Sequence, residues 1–206
     1  MNHKYAVKLN LDMKLFNSEL PTIEFLQQYI LKTYNDVEGY RYFQAPNYIV
    51  SNEIKNFLTK HNQRFNFMEI IYAPANTTLG IHSDEEILGS YSKINWVFNG
   101  KDSKMIWYNL KDISMTGKKS LYAAYGDNAI HFDKNDLEIA HSEELQGPTL
   151  VEVGCPHNMQ NGTIESRWCV GVNYTNNYTT NTYHRPTIKE SIEIFKDYII
   201  GDPERI

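Results

Sequence analysis

The chain has 206 residues and a net charge of −5, from 20 basic and 25 acidic residues, with seven histidines and two cysteines. This length suits one domain large enough to bury a substantial core. The acidic balance argues against a broad basic face for long duplex nucleic acid, and no segment has the length and apolarity of a membrane span or a signal peptide.

In chain order, Tyr5, Val7, Leu9 and Leu11 alternate with smaller or polar residues, as in a half-buried strand. After Pro21, which suits a first helical turn, Ile23, Leu26, Ile30 and Tyr34 recur at helical spacing. Ile54, Phe57 and Leu58 mark a second amphipathic helix after Ser51. From Phe65 the period shortens to β-rich runs at 67–72, 94–98, 105–108, 121–125, 149–153 and 168–174. Turn residues separate these runs: Pro74-Ala75-Asn76, Asn99-Gly100, Gly126-Asp127-Asn128, Gly147-Pro148 and Asn161-Gly162. That rhythm predicts an antiparallel sandwich or barrel. Asn173 to Tyr183 reads as an exposed polar loop. Thr187-Ile188-Lys189-Glu190 is a capping box that opens a last helix with Ile188, Ile192, Phe195 and Ile199 on one stripe. The expected layout is a single domain over 1–206, with a strand and helices in 1–64, a β core in 65–175, and a loop and helix in 176–206.

The chemistry-bearing pattern is His82-Ser83-Asp84, then His157, then Arg167. Residues i and i+2 of a strand point to the same face, so His82 and Asp84 can present ligands together. A second histidine brought back by the fold completes a two-histidine, one-carboxylate set, which holds a metal on one face and leaves the other open. His131-Phe132-Asp133 repeats the tripeptide, so the tripeptide alone is weak. The two frames differ downstream: the span from Asp84 to His157 has room for several strands, whereas that from Asp133 has room for about two. His141 in the place of His157 would put Val151, not Arg167, ten residues on. An arginine there can grip a carboxylate through two parallel hydrogen bonds.

This order and spacing resemble the Fe(II)/2-oxoglutarate-dependent oxygenases, over roughly residues 65–175. The likeness extends to Ile70-Ile71-Tyr72-Ala73-Pro74, similar to a lead-in strand whose tyrosine contacts the cosubstrate. It also covers Lys93-Ile94-Asn95-Trp96-Val97-Phe98, where Asn95 can face the pocket, and Cys155-Pro156-His157-Asn158 followed by Ser166-Arg167-Trp168-Cys169. The resemblance implies an α+β, mainly β fold: a double-stranded β-helix (jelly-roll, cupin-like) core with N-terminal helices packed on it and a C-terminal helix. It implies Fe(II) held by His82, Asp84 and His157, with 2-oxoglutarate as cosubstrate contacted by Arg167, Tyr72 and Asn95. O₂ would be the oxidant, hydroxylating an unactivated C–H with release of succinate and CO₂. One position departs: some subfamilies carry a serine two residues after the arginine, where this chain has Cys169, a poor donor.

Other residues carry plainer readings. Cys155 and Cys169 make no disulfide framework and fit small buried thiols of a reducing cytoplasm, a host's if the source is a virus. Lysine outnumbers arginine 15 to 5, which with abundant Asn, Ile and Tyr hints at an AT-rich genome. His3, His61, His131, His141 and His184 read as structural or exposed, Glu85 and Glu86 as a solvated loop, and Trp96, Trp107 and Tyr108 as core filling. Two other functional classes stay open: a cupin-type metalloprotein that does not use 2-oxoglutarate, and a non-catalytic jelly-roll binding module. The substrate, small molecule or macromolecule, and the oligomeric state leave no sequence signal.

Overall fold

The period-two runs pair into strands in the computed structural model, which describes residues 5–30, 36–37, 40–84, 90–112, 117–119, 129–176 and 185–201. Fourteen strands are described: β1 (Ala6–Lys8), β2 (Asp36–Val37), β3 (Tyr40–Ala45), β4 (Gln63–Ala73), β5 (Thr77–Thr78), β6 (His82–Ser83), β7 (Ser92–Asn99), β8 (Lys104–Leu110), β9 (Lys118–Lys119), β10 (Ile130–His131), β11 (Leu137–Glu144), β12 (Gly147–Glu152), β13 (His157–Asn161) and β14 (Arg167–Asn176). Three helices accompany them: α1 (Thr22–Ile30), α2 (Asn52–Lys60) and α3 (Ile188–Ile194).

The strands form two antiparallel sheets. The major sheet runs β1-β12-β7-β14-β4-β3-β2; the minor runs β11-β8-β13-β6-β10-β9, with β5 beside β13. The eight core strands in chain order are β4, β6, β7, β8, β11, β12, β13 and β14. The first neighbours the eighth and the third the sixth in one sheet, while the second neighbours the seventh and the fourth the fifth in the other. That interleaved winding is a jelly roll, the double-stranded β-helix expected from the sequence. β1 extends one edge of the major sheet and β2–β3 the other.

Alternation on β14 shows how each side of the major sheet is covered. Trp168, Val170, Val172 and Tyr174 face outward into a cluster with Leu26 of α1, Ile54, Phe57 and Leu58 of α2, and Ile188 of α3. Cys169 faces inward and packs with Val97, Val151 and the minor-sheet residues Met105 and Trp107. The Trp107 indole N–H donates to the Glu152 carbonyl at 2.9 Å, tying the two sheets across the core.

Local chemistry explains the helix ends. The Ser51 hydroxyl accepts from Glu53 N–H to cap α2, and Thr187 and Glu190 form the reciprocal capping box of α3. The last apolar stripe is shorter than expected: α3 ends at Ile194 and a 3₁₀ turn succeeds it at Lys196–Tyr198. Thr175 and Asn176 belong to β14, not to an exposed loop, because they pair with Arg64 and Gln63 of β4. Strands β3, β11 and β13 lie where the sequence pattern predicts none. The expected strand at 121–125, its turn at 126–128, Tyr34, Glu85 and Glu86 lie outside the described residues. Among the described residues no helix is long and apolar enough to cross a membrane.

Candidate metal centre

His82 and His157 are direct backbone partners on antiparallel β6 and β13, so their side chains leave the minor sheet on the same face. Both are buried, and their rings stand 4.6 Å apart. Asp84 comes directly after β6; its N–H donates to the Val153 carbonyl at 3.0 Å, which turns the chain toward the interior. Ser83 between them points the other way and is fully buried. One Asp84 oxygen, Oδ1, lies 3.5 Å from His82 Nε2 and 3.6 Å from His157 Nε2.

The tautomers are dictated by the backbone. His82 Nδ1 faces the Gly80 carbonyl at 2.9 Å, and His157 Nδ1 faces the Cys155 carbonyl at 2.9 Å. A carbonyl only accepts, so each Nδ1 carries a proton and each ring turns its Nε2 toward Asp84 Oδ1. Burial, reinforced by the neighbouring His82, pushes His157 down to about 3 and keeps that imidazole neutral. The lone pair of neutral His157 and the Asp84 oxygen converge with His82 Nε2 on one point, an arrangement that a cation between them would satisfy. Ligand histidines oriented by carbonyl oxygens through the far nitrogen are the usual supporting arrangement of a metal site. The three ligand atoms all lie within 4.8 Å of one another, and the group is the one candidate metal cluster among the described residues. The residues therefore fit a divalent transition metal bound on one face.

The other Asp84 oxygen has a partner that sequence reasoning does not anticipate. Oδ2 accepts from Lys93 Nζ at 2.8 Å, and the same ammonium donates to the Glu69 carboxylate. Lys93 and Glu69 are only 5% and 7% exposed, so these are charges held inside the sandwich. Burial works against the charged form of Asp84, yet Lys93, His82 and His157 together outweigh it and hold the carboxyl well below the usual carboxylate range. Burial likewise disfavours the Lys93 ammonium, but Asp84 and Glu69 more than compensate and raise it above an ordinary lysine. Tyr42 on β3 completes the chain with a hydrogen bond to Glu69. The available signal was a charged residue at an inward position of an apolar run, as in Met68-Glu69-Ile70-Ile71.

Arg167 begins β14 on the inward face, 4% exposed. Its guanidinium hydrogen-bonds the Cys169 sulfur and lies near Tyr40, its Nε has no hydrogen-bond partner, and among the described residues no carboxylate pairs with it. The Cys169 thiol is raised by burial, and on β14 the residue stands between Arg167 and Gly171, the register partner of Glu69. Asn95 shares the inward face with Lys93, is buried, and its Oδ1 is without a hydrogen-bond partner.

Tyr72 is not brought to this group. It lies on the outward face of β4, edge-on to Trp168 with ring centroids 4.8 Å apart and 5.9 Å beneath the Arg41 guanidinium. The strand alternation that turns Glu69, Ile71 and Ala73 inward turns Tyr72 out, so cosubstrate contact from that face is corrected to a packing role. The second His-x-Asp does not assemble either: His131 pairs in register with His82, but the Asp133 carboxylate caps a 3₁₀ turn by accepting from Asn135 N–H. His141 stacks on Tyr5 and pairs with Glu143 near the surface, and His61 packs among Phe57, Phe195 and Tyr198.

No family model matches the chain, and no curated protein does. Among solved structures it is similar to YcfD, a ribosomal oxygenase from Escherichia coli: 16% identity, 77% of this chain, 37% of that one, TM-score 0.41. It is also similar to oxalate decarboxylase from Bacillus subtilis, at 9% identity, 77% and 30% coverage and TM-score 0.36. Oxalate decarboxylase from Lactobacillus farciminis aligns at 11% identity, 84% and 40% coverage and TM-score 0.34. The chain thus spans well under half the length of each.

Proposed function

We propose that the protein is an Fe(II)- and 2-oxoglutarate-dependent dioxygenase that hydroxylates an unactivated C–H of a substrate yet to be identified. The observation that carries this reading is Arg167, a buried cation with no carboxylate partner among the described residues, on the inner wall of the sandwich that holds the His82, Asp84 and His157 group. An unpaired buried charge is costly, which favours an anionic ligand as its partner.

The charges support the same reading. Asp84 and Glu69 carry two negative charges and Lys93 and Arg167 two positive, so the residues balance by themselves. A divalent cation and a dianionic 2-oxo acid add equal and opposite charge and keep that balance. His82, His157 and Asp84 would hold iron on one face, and the iron would supply the redox chemistry that couples O₂ to oxidation of the 2-oxo acid and the substrate. Arg167 would hold the distal carboxylate by a charge-assisted bidentate contact, with Asn95 presenting an amide on the same wall. The apolar interior around Cys169, Val97 and Trp107 would exclude water from the reacting groups.

The test is an anaerobic Fe(II) titration with and without 2-oxoglutarate, following the weak visible charge-transfer band of the chelate. The expected band requires both components, disappears in His157→Ala and weakens in Arg167→Ala. Iron binding without any response to 2-oxoglutarate would instead make this a cupin-type metalloprotein; no iron binding would overturn the ligand assignment.

A further inference from the structure

The buried pair Glu69–Lys93 is built across an intervening strand. Glu69 lies on β4 and Lys93 on β7, with β14 between them. Gly171 of β14 is in register with Glu69 on one side and Asn95 on the other. A Cβ at Gly171 would stand 2.6 Å from Glu69 Oε1 and 3.1 Å from Asn95 Oδ1. The missing side chain is therefore the gap through which the Glu69 carboxylate reaches Lys93. Tyr42 holds Glu69 from its other flank. Buried ion pairs rarely stabilise a fold more than apolar residues of the same volume, so stability gives this construction little reason to exist. What it delivers is an ammonium 2.8 Å from Asp84 Oδ2, while Oδ1 alone faces the two imidazoles.

We propose that Lys93, seated by Glu69 across Gly171, is a positioning residue that limits Asp84 to one metal-bound oxygen and so keeps the open coordination positions available to exogenous ligands. This rests on the metal-binding reading of His82, Asp84 and His157, and not on the cosubstrate. A carboxylate with both oxygens free can chelate a cation and fill a further position. With Oδ2 engaged by Lys93, Asp84 cannot do so without breaking a charge-assisted hydrogen bond.

Cobalt(II) tests this without turnover, because its visible absorption weakens as coordination rises from four toward six ligands. The full chain is titrated with Co(II), and the loaded protein then with inorganic azide, a probe of open positions. Lys93→Met is expected to alter the Co(II) spectrum and to weaken azide binding at least about tenfold, the usual scale for losing an outer-sphere partner. Lys93→Arg is expected to restore both. The pair Glu69→Met/Lys93→Met removes both buried charges together, preserves packing, and should reproduce the Lys93→Met spectrum even if the single variant folds poorly. A Co(II)-saturated Lys93→Met or double variant with the wild-type spectrum and azide affinity would overturn the proposal alone. A wild-type chain that binds no Co(II) would overturn the metal centre and the proposal with it.

Discussion

His82 and His157, far apart in the chain, are register partners on antiparallel strands, and both ring Nδ1 atoms are tied to the carbonyl two residues earlier. The same local device on two strands leaves two Nε2 atoms converging on Asp84. Metal binding should therefore stabilise the fold by linkage: a divalent ion at about 100 times its Kd adds roughly 2.7 kcal/mol. Thermal unfolding with Fe(II) or Co(II) against chelator measures it. His157→Ala should abolish the metal-dependent increment, and an equal increment in that variant would exclude His157 as a ligand.

Arg167→Met should act with opposite signs in two conditions. Removing a buried cation that has no carboxylate partner among the described residues leaves the ligand-free chain unchanged or more stable, by up to about 3 kcal/mol. The further stabilisation on adding 2-oxoglutarate to the metal-loaded protein should vanish. Urea unfolding with and without the acid gives both readings; a strongly destabilised ligand-free variant would mean that Arg167 serves the fold.

Gly171→Ala should cost about 1–3 kcal/mol, the usual penalty of overpacking, because the new methyl meets the Glu69 carboxylate. Gly162→Ala is the matched control: nothing lies within 4 Å of a Cβ there, so it should stay within about 0.5 kcal/mol of wild type. Equal denaturation midpoints for the two would refute the packed gap.

Alkaline pH should loosen the C-terminal helix. Burial pushes the Tyr174 hydroxyl up to about 12, against hydrogen bonds with the Ser191 and Ser92 hydroxyls that lower it. A folded-state value above the unfolded one near 10 means full stability below pH 10. Stability then falls as the unfolded chain ionises first, with the loss complete near pH 12 and amounting to about 3 kcal/mol. Tyr174→Phe should flatten that part of the stability–pH profile; an unchanged slope would assign it elsewhere.

Much of the fold is legible in the sequence because the relevant forces are local or periodic. Ser51 and the Thr187–Glu190 pair announce their helices, and alternation announces the core of β4, β7, β12 and β14. The metal group is legible because its residue types are rare enough for their order to carry meaning. Strand β3 is not, since Tyr40-Arg41-Tyr42-Phe43 lacks a clean alternation and is held by pairing with β4. Tyr72 is misread because a one-residue difference in facing inverts a strand side chain. Lys93 and Glu69 escape notice because each looks like an ordinary surface charge until the fold places a partner opposite it.

The imidazoles of His82 and His157 belong to one wall of the sandwich, whereas Lys93, Glu69 and Arg167 belong to the other. The gap between the walls is therefore a chemical variable as well as a mechanical one. Trp107 is the neighbour of His157 in register and fastens its wall to the opposite one through the Glu152 carbonyl. A smaller residue at that position would let the walls drift, separating the Nε2 atoms from Asp84 while every ligand remained in the chain. The geometry of the His82, Asp84 and His157 group is thus exposed to substitutions deep in the apolar layer, where sequence inspection for site residues does not look.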